Sequence, residues 1–495
     1  MKKILQNKYV YIPFTIILFL FVANFVSGIF FDNDGYWIIA TGKYISENGI
    51  PKTNPFTIVH DLNIIIQQWP WTIYCYQIYH TFGRAGLYIS SLILFILNIL
   101  VFLKIAKLKN ADTKITTFFI LGVFCIDYIF ISIRPTLVTT LLLALEILIL
   151  EYYKRTNKKA ILSLLILISF FEINFHSAIW FLHFVFMLPY LVSPIKNPFV
   201  LFKKDDIKRI PLLITMIPMF LVGILNPYGM NGMLYIVYSF GDKLKNAGIS
   251  ELGCWTLKSF YGLLIIFSVI VIFYLLIKRK EKETTIDAAT FYLFCGTTIM
   301  GCMYIRNLIY FIFGLIMIFI ELISVVDFSK FYQWIEKQVK FTTLYVWCIV
   351  FAFLILFGNG IIENVKTETE DSAMTPVKAI EYLDKNKINK DNTRIYTEFN
   401  NGGYFEFNDY HCFIDARPEL YFAQLNKKSD VFDDYTKVNN AKNVKNISKF
   451  LEKYQFEYLC ITKGTIFDTY MQMNKNYKFV VNAKEYHVYQ NLQKE

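Results

Sequence analysis

Long apolar runs alternate with short polar segments along the chain up to about residue 360. About eleven of these runs approach the ~20 residues that an α-helix needs to cross a bilayer, so we predict a polytopic α-helical membrane protein. The predicted spans are Tyr11–Phe31, Gly86–Ile105, Ile115–Ile133, Leu137–Tyr153, Ala160–Asn174, Ala178–Val192, Ile210–Leu225, Tyr261–Ile277, Ala288–Ile305, Leu308–Val325 and Phe341–Ile361. The first run lacks a small-residue cleavage site after it, and we expect an uncleaved helix rather than a signal peptide.

The pattern changes from Glu363 onward, where charged residues become frequent and the long apolar runs stop. Helical and strand patterns alternate there, which predicts a small α/β domain over residues 363–495. The predicted helices and strands are Val377–Asn386, Arg394–Phe399, Cys412–Asp415, Val444–Tyr454, Tyr458–Thr462, Tyr477–Val481 and Tyr486–Tyr489. Residues 1–362 form the predicted transmembrane domain, with a first outer loop at 32–85 and a second outer segment at 226–257.

Composition and charge support a membrane protein and give it an orientation. The mean hydropathy is +0.40, and 55% of the residues are hydrophobic while 18% are charged, which argues against a soluble enzyme. Lys and Arg collect in every second loop, which predicts a cytoplasmic N-terminus and an extracytoplasmic C-terminal domain. The eight Cys residues form no CxxC or Cys/His cluster, so no zinc site is signalled. Cys412 and Cys460 are either a disulfide pair or two buried thiols.

Unusual polar residues collect at the predicted outer ends of the spans. This set comprises Asp32, Asp34, Arg134, Asn174, His176, Asn226, Tyr228 and Arg306. Polar groups at a membrane surface are costly unless they are solvated, paired or used, and their position at one face indicates a site there. Each has a structural alternative. The two Asp residues are suited to cap the next helix, and the two Arg residues are suited to snorkel to lipid headgroups. His176 is suited to form structural hydrogen bonds at the membrane interface.

The first loop resembles that of GT-C-type membrane glycosyltransferases. The chain is similar, more narrowly, to the bacterial branch related to protein O-mannosyltransferases and lipid A aminoarabinose transferases. The matching residues are Asp32, Asp34, Trp37, Gly42, Ile45, Gly49-Ile50-Pro51, Asn54-Pro55-Phe56 and Gln68-Trp69. Weaker similarities are Arg134-Pro135, Asn174-Phe175-His176, Asn226-Pro227-Tyr228-Gly229, Gly402-Gly403-Tyr404 and Asp415-Ala416-Arg417.

This resemblance implies transfer of a sugar from a polyprenyl-phosphate donor outside the cytoplasmic membrane, usually with inversion. It places the family's catalytic carboxylate on Asp32 or Asp34. The chemistry agrees, because displacement at an anomeric carbon needs a base for the acceptor hydroxyl and cations for the departing phosphate. Arg134 and Arg306 are the natural phosphate ligands, since Arg offers a bidentate fork. His176 assists them or holds the acceptor.

The remaining expectations concern ligands and alternatives. Trp37, Asn174, Asn226 and Tyr228 are candidate substrate-binding residues. We expect no cofactor; a divalent cation on the two Asp residues is chemically reasonable, but no full ligand set accompanies them. The expected partners are a polyprenyl-phosphate-linked sugar, a glycan, lipid or protein acceptor, and the bilayer of a bacterial cytoplasmic membrane, without nucleic acid. The alternatives are a lipid-linked glycan transporter or flippase, or a non-catalytic accessory protein of envelope glycan assembly.

Overall fold

The chain folds into two compact units, each assembled from segments that are distant in sequence. The computed structural model describes residues 8–126, 131–195, 202–203, 205–239, 253, 256, 259–281, 286–338, 343–366, 371–439 and 444–494. The first unit, here the helical unit, comprises Met1–Phe30, Tyr88–Leu225 and Ile249–Val365. The second, here the α/β unit, comprises Phe31–Leu87, Asn226–Gly248 and Lys366–Glu495. Most of the second outer segment after residue 239, and parts of the predicted spans at 127–130 and 341–342, lie outside the described residues.

Apolar helices make up the helical unit. They are Lys8–Ser27, the latter part of Trp69–Leu108, Thr113–Ile126, Thr136–Thr156, Ser163–Phe175, Leu182–Val192, Arg209–Leu221, Phe260–Glu281, Ala288–Met303, Leu308–Ile323, Ser329–Gln338 and Thr343–Val365. Among the described residues, five helices are long and apolar enough to cross a membrane, and five more are apolar but shorter. The chain is therefore a helical membrane protein, and the count of eleven spans stays a prediction.

The centre of the helical unit is helix Leu308–Ile323, which is buried along almost its whole length. It packs closely on Ala288–Met303 because Gly314 has no side chain. A Cβ on Gly314 would lie 2.0 Å from Thr297 Oγ1 and 2.8 Å from Phe294 Cα. Apart from Glu321, this helix is apolar on every side, which is typical of a helix surrounded by other helices.

A buried ion-pair cluster in the helical unit includes Glu321 of helix Leu308–Ile323, where the sequence indicated only loop charges. Lys109 Nζ lies 2.8 Å from Glu321, 3.0 Å from Asp287 and 3.2 Å from Glu151. Lys154 Nζ lies 2.8 Å from Asp287 and 3.1 Å from Glu151. Asp287 is held there by a short parallel pair of strands, β1 (Phe202–Lys203) and β2 (Ile286–Asp287). The positive charges that suggested an orientation are thus also internal salt-bridge partners.

The α/β unit has a four-stranded mixed sheet with the strand order β3-β4-β6-β5. The strands are β3 (Ile395–Tyr396), β4 (Tyr458–Thr462), β5 (Tyr477–Ala483) and β6 (Tyr486–Asn491). Its helices are Asn33–Asn48, the first part of Trp69–Leu108, Met230–Met233, Tyr235–Ser239, Val377–Lys385, Gly402–Phe407, Ala423–Asn426, Val431–Asn439, Val444–Tyr454 and Ile466–Met473. The helices predicted near residues 377 and 444, and the strands β4 to β6, form where the periodicity placed them.

Two local predictions in this unit were wrong. Cys412–Asp415 is not a strand of the sheet, because Cys412 instead forms an isolated parallel bridge with Thr57 of the first loop. Cys412 and Cys460 are both buried free thiols, so the disulfide alternative is also wrong.

The three segments of the α/β unit are joined by side-chain contacts. Tyr228 Oη donates to Pro51 O at 3.1 Å, which connects the second outer segment to the first loop. Tyr235 Oη donates to Glu419 Oε1 at 2.8 Å, which connects the same segment to the C-terminal residues. The first loop is therefore part of a folded unit rather than a mobile connection between spans.

Candidate active site

The first-loop helix, Asn33–Asn48, begins at the Asp-Asn-Asp motif. Asp32 is its N-cap, in extended backbone conformation (φ −102°, ψ −171°), and its carboxylate accepts a hydrogen bond from Asp34 N at 3.1 Å. The helix ends at Gly49, whose φ of +82° favours glycine. The capping interpretation is thus confirmed for Asp32.

Asp34 lies in the first turn of the same helix and is oriented by an indole. Trp37 Nε1 donates to Asp34 Oδ1 at 2.9 Å. Residues three apart on a helix share a face, so this bond is a direct consequence of the spacing. Asp32 and Asp34 are both half-buried, whereas Trp37 is 8% exposed. A negative charge in the first turn is also favoured by the helix dipole.

Two consecutive glycines bring the C-terminal residues against this helix. A Cβ on Gly403 would lie 3.1 Å from Asn33 O and 3.3 Å from Trp37 N, so a side chain there would crowd the backbone that carries Asp34. A Cβ on Gly402 would lie 1.9 Å from Ile414 O. The Gly-Gly pair thus permits helix Gly402–Phe407 to approach two other segments at once.

Behind Trp37 lies a buried charged triad of Glu406, Asp415 and Arg417. Arg417 Nη2 donates to Asp415 Oδ2 at 2.6 Å and to Glu406 Oε2 at 2.8 Å, and Arg417 Nε donates to Asp415 Oδ1 at 3.0 Å. The guanidinium carbon lies 4.6 Å from the centre of the Trp37 ring, and Nη1 donates to Thr41 Oγ1 at 3.2 Å. The triad therefore contacts the first-loop helix through both a ring and a hydroxyl.

Burial and mutual contacts shift the pKa values of all three groups of the triad. Burial would raise the pKa of Asp415, but the charge and hydrogen bonds of Arg417 lower it to about 2. Burial raises the pKa of Glu406 well above its ordinary value, against the effect of Arg417. Arg417 stays protonated, because its two acidic neighbours outweigh desolvation and raise its pKa. Arg417 thus lies between one acid whose pKa is lowered and one whose pKa is raised.

Asn226 and Tyr228 also lie in the α/β unit, where both have structural contacts. Asn226 Oδ1 accepts from Tyr228 N at 2.9 Å, and its Nδ2 donates to Gly229 O at 2.9 Å, which is a turn-forming arrangement. Burial raises the pKa of Tyr228 to about 12. Both residues shape the segment that contacts the first loop.

The helical unit holds the other predicted site residues. Asn174 Nδ2 donates to Leu225 O at 3.0 Å. Arg134 is half-buried, and Arg306 is exposed on a short turn of 3₁₀-helix at Ile305–Asn307. The charge of Arg306 acts electrostatically on His176. Arg306 and His176 are therefore brought near each other within this unit.

His176 belongs to a buried polar chain that the sequence did not predict. Its Nδ1 lies 2.9 Å from Thr139 Oγ1, which also donates to Glu172 Oε1 at 2.7 Å. Beyond them, His183 Nε2 lies 3.5 Å from Glu172, and His183 Nδ1 is hydrogen-bonded to Glu146. Because Thr139 has one hydroxyl hydrogen and gives it to Glu172, its oxygen accepts from His176 Nδ1. A neutral His176 then carries its lone pair on Nε2.

Sequence reasoning missed these networks for a simple reason. Arg417 was noticed only as part of the Asp415-Ala416-Arg417 motif, and His183 was not singled out among its apolar neighbours. A carboxylate within an apolar run, such as Glu146 or Glu172, is a signal that indicates a buried partner. Both are 0% exposed, but nothing in the sequence paired Glu146 with His183.

The described residues of the α/β unit do not form a convincing metal site. Glu406, Cys412 and Asp415 place potential ligand atoms within 4.8 Å of one another. However, Arg417 already donates to both carboxylates, and burial raises the pKa of the Cys412 thiol, which disfavours a thiolate. Within this unit as described, no third acidic, His or Cys ligand joins Asp32 and Asp34 in such a group.

Comparisons with known proteins identify the fold. No protein-family model and no curated protein matches the chain. Among solved structures it is similar to the oligosaccharyltransferase of Archaeoglobus fulgidus tethered with an acceptor peptide containing the NVT sequon, with a TM-score of 0.59 and 12% identity. The match covers 92% of this chain and 70% of that one. The chain has a GT-C-type fold.

Two further structures of that archaeal enzyme have the same fold. AglB in complex with an inhibitory peptide and a dolichol-phosphate matches with a TM-score of 0.59 and 12% identity, over 92% of this chain and 70% of that one. The complex with Zn and sulfate matches with a TM-score of 0.55 and 12% identity, over 90% and 68%. The GT-C-type fold that the first loop indicated is thus confirmed, and the narrower bacterial branch stays a prediction.

Proposed function

We propose that the chain is a membrane glycosyltransferase that transfers a sugar from a polyprenyl-phosphate donor to an acceptor on the outer face of the cytoplasmic membrane. The observation that carries the proposal is the half-buried Asp34 carboxylate, held by Trp37 at the start of the first-loop helix. The fold supports it, because the archaeal enzyme with this fold is an oligosaccharyltransferase that was solved with a dolichol-phosphate.

The two acidic residues of the first loop receive different roles in this mechanism. Asp32 caps the helix, and its carboxylate is engaged by Asp34 N. Asp34 is the general base: it takes the proton of the acceptor hydroxyl as the acceptor oxygen bonds to the anomeric carbon and the bond from that carbon to the phosphate oxygen breaks. A single displacement of this kind inverts the anomeric centre.

The departing lipid phosphate needs cationic partners, and Arg134 and Arg306 are assigned that role. Guanidinium groups bind phosphate with two parallel hydrogen bonds and stay charged at any physiological pH. His176 is better suited to accept a hydrogen bond, since its Nδ1 hydrogen is directed at Thr139. We therefore assign His176 to the acceptor rather than to the phosphate. No step is assigned to a metal ion, because the described residues around Asp32 and Asp34 supply two carboxylates and no further ligand of that group.

The test compares single amide substitutions of the two acids. Membranes from a strain lacking the endogenous gene, and producing each variant, receive undecaprenyl-phosphate carrying a radiolabelled hexose or pentose, and transfer into polymer, lipid and protein fractions is counted. Asp34→Asn keeps an oxygen for the Trp37 bond but loses the base, and we expect at least about a 100-fold loss. Asp32→Asn keeps a good N-cap and should stay within about tenfold of the parent.

The outcomes separate the alternatives. Full transfer by both single variants and by the double variant would eliminate a base in this motif. The reverse ranking would move the base to Asp32. Loss of transfer in Arg306→Gln, with retention in Arg155→Gln as a control at a predicted loop, would support the phosphate role of Arg306.

One observation favours a transporter as a second candidate. Glu146 and His183 are 0% exposed within the helical unit, and intramembrane ionisable groups commonly line transport paths. Proteoliposomes loaded with fluorescent polyprenyl-phosphate-linked sugar distinguish the two functions. Movement of that lipid between leaflets without sugar transfer would support transport and contradict the enzyme.

A further inference from the structure

Arg417 contacts both the first-loop helix and the C-terminal segment of the α/β unit. On one side it binds the carboxylates of Glu406 and Asp415, which are both buried. On the other side it lies over the Trp37 ring and donates to Thr41. Trp37 in turn donates to Asp34. A continuous set of contacts thus runs from residues near the C-terminal sheet to the candidate base.

We propose that the Glu406–Arg417–Asp415 triad is a positioning device that fixes the Trp37 indole and, through its N–H, the carboxylate of Asp34. The proposal rests on the assignment of Asp34 as the base. Arg417 and Trp37 act here as positioning residues, because the Arg417 guanidinium binds Glu406, Asp415 and Thr41 and the Trp37 N–H binds Asp34. The substrate-binding role predicted for Trp37 stays a separate prediction.

The geometry suits orientation better than it suits stability alone. A buried ion pair is often no more stabilising than an apolar replacement of the same volume, so stability alone does not explain why the triad is there. Arg417 is held by several hydrogen bonds from a rigid planar group, which restricts its rotation. A guanidinium fixed in this way restricts the ring that it covers.

Trp37 then has little freedom about either side-chain torsion. Arg417 lies 4.6 Å from its ring centre on one side, and Gly403 lets the neighbouring backbone approach Trp37 N. A catalytic carboxylate must be held close to its productive position, and misplacement by about 1 Å can cost up to roughly 100-fold in rate. The hydrogen bond from the Trp37 indole N–H to Asp34 supplies that restraint.

The test uses substitutions that cut the connection at single points. Trp37→Phe removes the N–H while keeping a ring for Arg417, and Thr41→Val removes only the hydroxyl that accepts from Arg417 Nη1. Trp71→Phe is the matched control, because Trp71 is a buried indole of the same unit, stacked on Tyr74. Transfer rates are normalised to the monodisperse fraction of the full-length protein in detergent.

We expect Trp37→Phe to lower kcat roughly tenfold, and Thr41→Val a few-fold, with the KM for the polyprenyl-phosphate sugar unchanged within about twofold. Trp71→Phe should keep kcat within about twofold of the parent. In an Asp34→Ala background the indole N–H has no carboxylate at position 34 to hold, so the additional effect of Trp37→Phe on the residual rate should fall below about twofold. An effect that remains tenfold there would overturn the positioning role.

Failure of this inference differs from failure of the proposed function. An unaffected Trp37→Phe variant beside an inactive Asp34→Asn variant would overturn only the positioning role. A fully active Asp34→Asn variant would overturn the base, and the positioning role with it. Equal losses of kcat in Trp37→Phe and Trp71→Phe would show that the contacts of Trp37 act only as ordinary packing, and this would overturn the inference.

Discussion

Replacing Arg417 by Met should destabilise the protein more than the loss of its hydrogen bonds alone. The substitution keeps an apolar stem of similar length but removes the only cation of the Glu406–Arg417–Asp415 triad. Arg417 is 6% exposed, and Asp415 is 0% exposed. Asp415 would keep two neutral donors, Tyr421 Oη at 2.7 Å and the backbone N of residue 417 at 2.7 Å, but it would lose its charged partner.

The magnitude follows from leaving a charge buried without its partner. Removing one partner of a buried pair typically costs about 3–5 kcal/mol. If each kcal/mol shifts the midpoint by about 2–4 °C, the unfolding temperature should fall by roughly 6–20 °C. Arg417→Met combined with Glu406→Gln and Asp415→Asn replaces the charges by neutral groups of the same shape, and it should recover most of this loss.

The loss should also depend on pH, with a defined sign. In the parent, Arg417 holds the pKa of Asp415 at about 2, below its ordinary value of 3.8. That contribution is present above pH 3.8 and is lost as the pH falls through 2. Without Arg417, burial raises the folded-state pKa of this carboxyl above the unfolded value. The folded variant then binds a proton more tightly than the unfolded chain, so its stability falls as the pH rises, by up to about 1.4 kcal/mol per pH unit.

The assay is thermal unfolding of the full-length protein in detergent at pH 5 and pH 8. Arg394→Met is the matched control, because Arg394 donates to the backbone carbonyls of Tyr454 at 2.8 Å and Ile58 at 3.3 Å, without a buried acid. It should cost about 1 kcal/mol at both pH values. Equal stability of Arg417→Met and parent, or a deficit that is smaller at pH 8 than at pH 5, would refute the electrostatic reasoning.

Three further predictions follow from single contacts and are tested by unfolding of the full chain in detergent. Gly402→Ala should lower the free energy of unfolding by at least about 1–3 kcal/mol, because its Cβ would lie 1.9 Å from Ile414 O. Gly403→Ala should lower it less, and equal effects of the two substitutions would contradict the steric argument. Asp32→Ala should cost about 1 kcal/mol as the N-cap is lost, while Asp32→Asn should cost only a few tenths; similar losses would point to charge instead of capping. Lys109→Met should cost about 3–5 kcal/mol, because its acidic partners stay buried, and an unchanged midpoint would show that Lys154 alone neutralises them.

Local features of the fold were predictable because they depend on neighbours in sequence. The apolar runs indicated helices, and the amphipathic period over Val444–Tyr454 reproduced a helix with the same ends. Asp32 could be recognised as a cap because capping involves residues two or three positions ahead. The strand at Cys412–Asp415 was mispredicted because its backbone partner is Thr57, more than 350 positions away.

The candidate site was predictable only in part. The Asp-Asn-Asp motif drew attention because carboxylates at the end of an apolar run are unusual. Asp34 and Trp37 are three residues apart on one helix, so their hydrogen bond could be predicted from their spacing. The contact between Trp37 and Arg417 could not be predicted, since 380 positions separate the two residues and no periodicity connects them.

By itself, the sequence determined that this is a helical membrane protein with an acidic motif at the start of a capped helix. Those properties depend on hydropathy and on contacts within one helical turn, which the order of residues fixes directly. Only the tertiary structure decided that the first loop belongs to the same folded unit as residues 366–495, and that Arg417 contacts the helix of Asp34. The physical reason is that burial and charge pairing depend on which distant segments pack together, and the same residues would be ordinary surface charges in another arrangement.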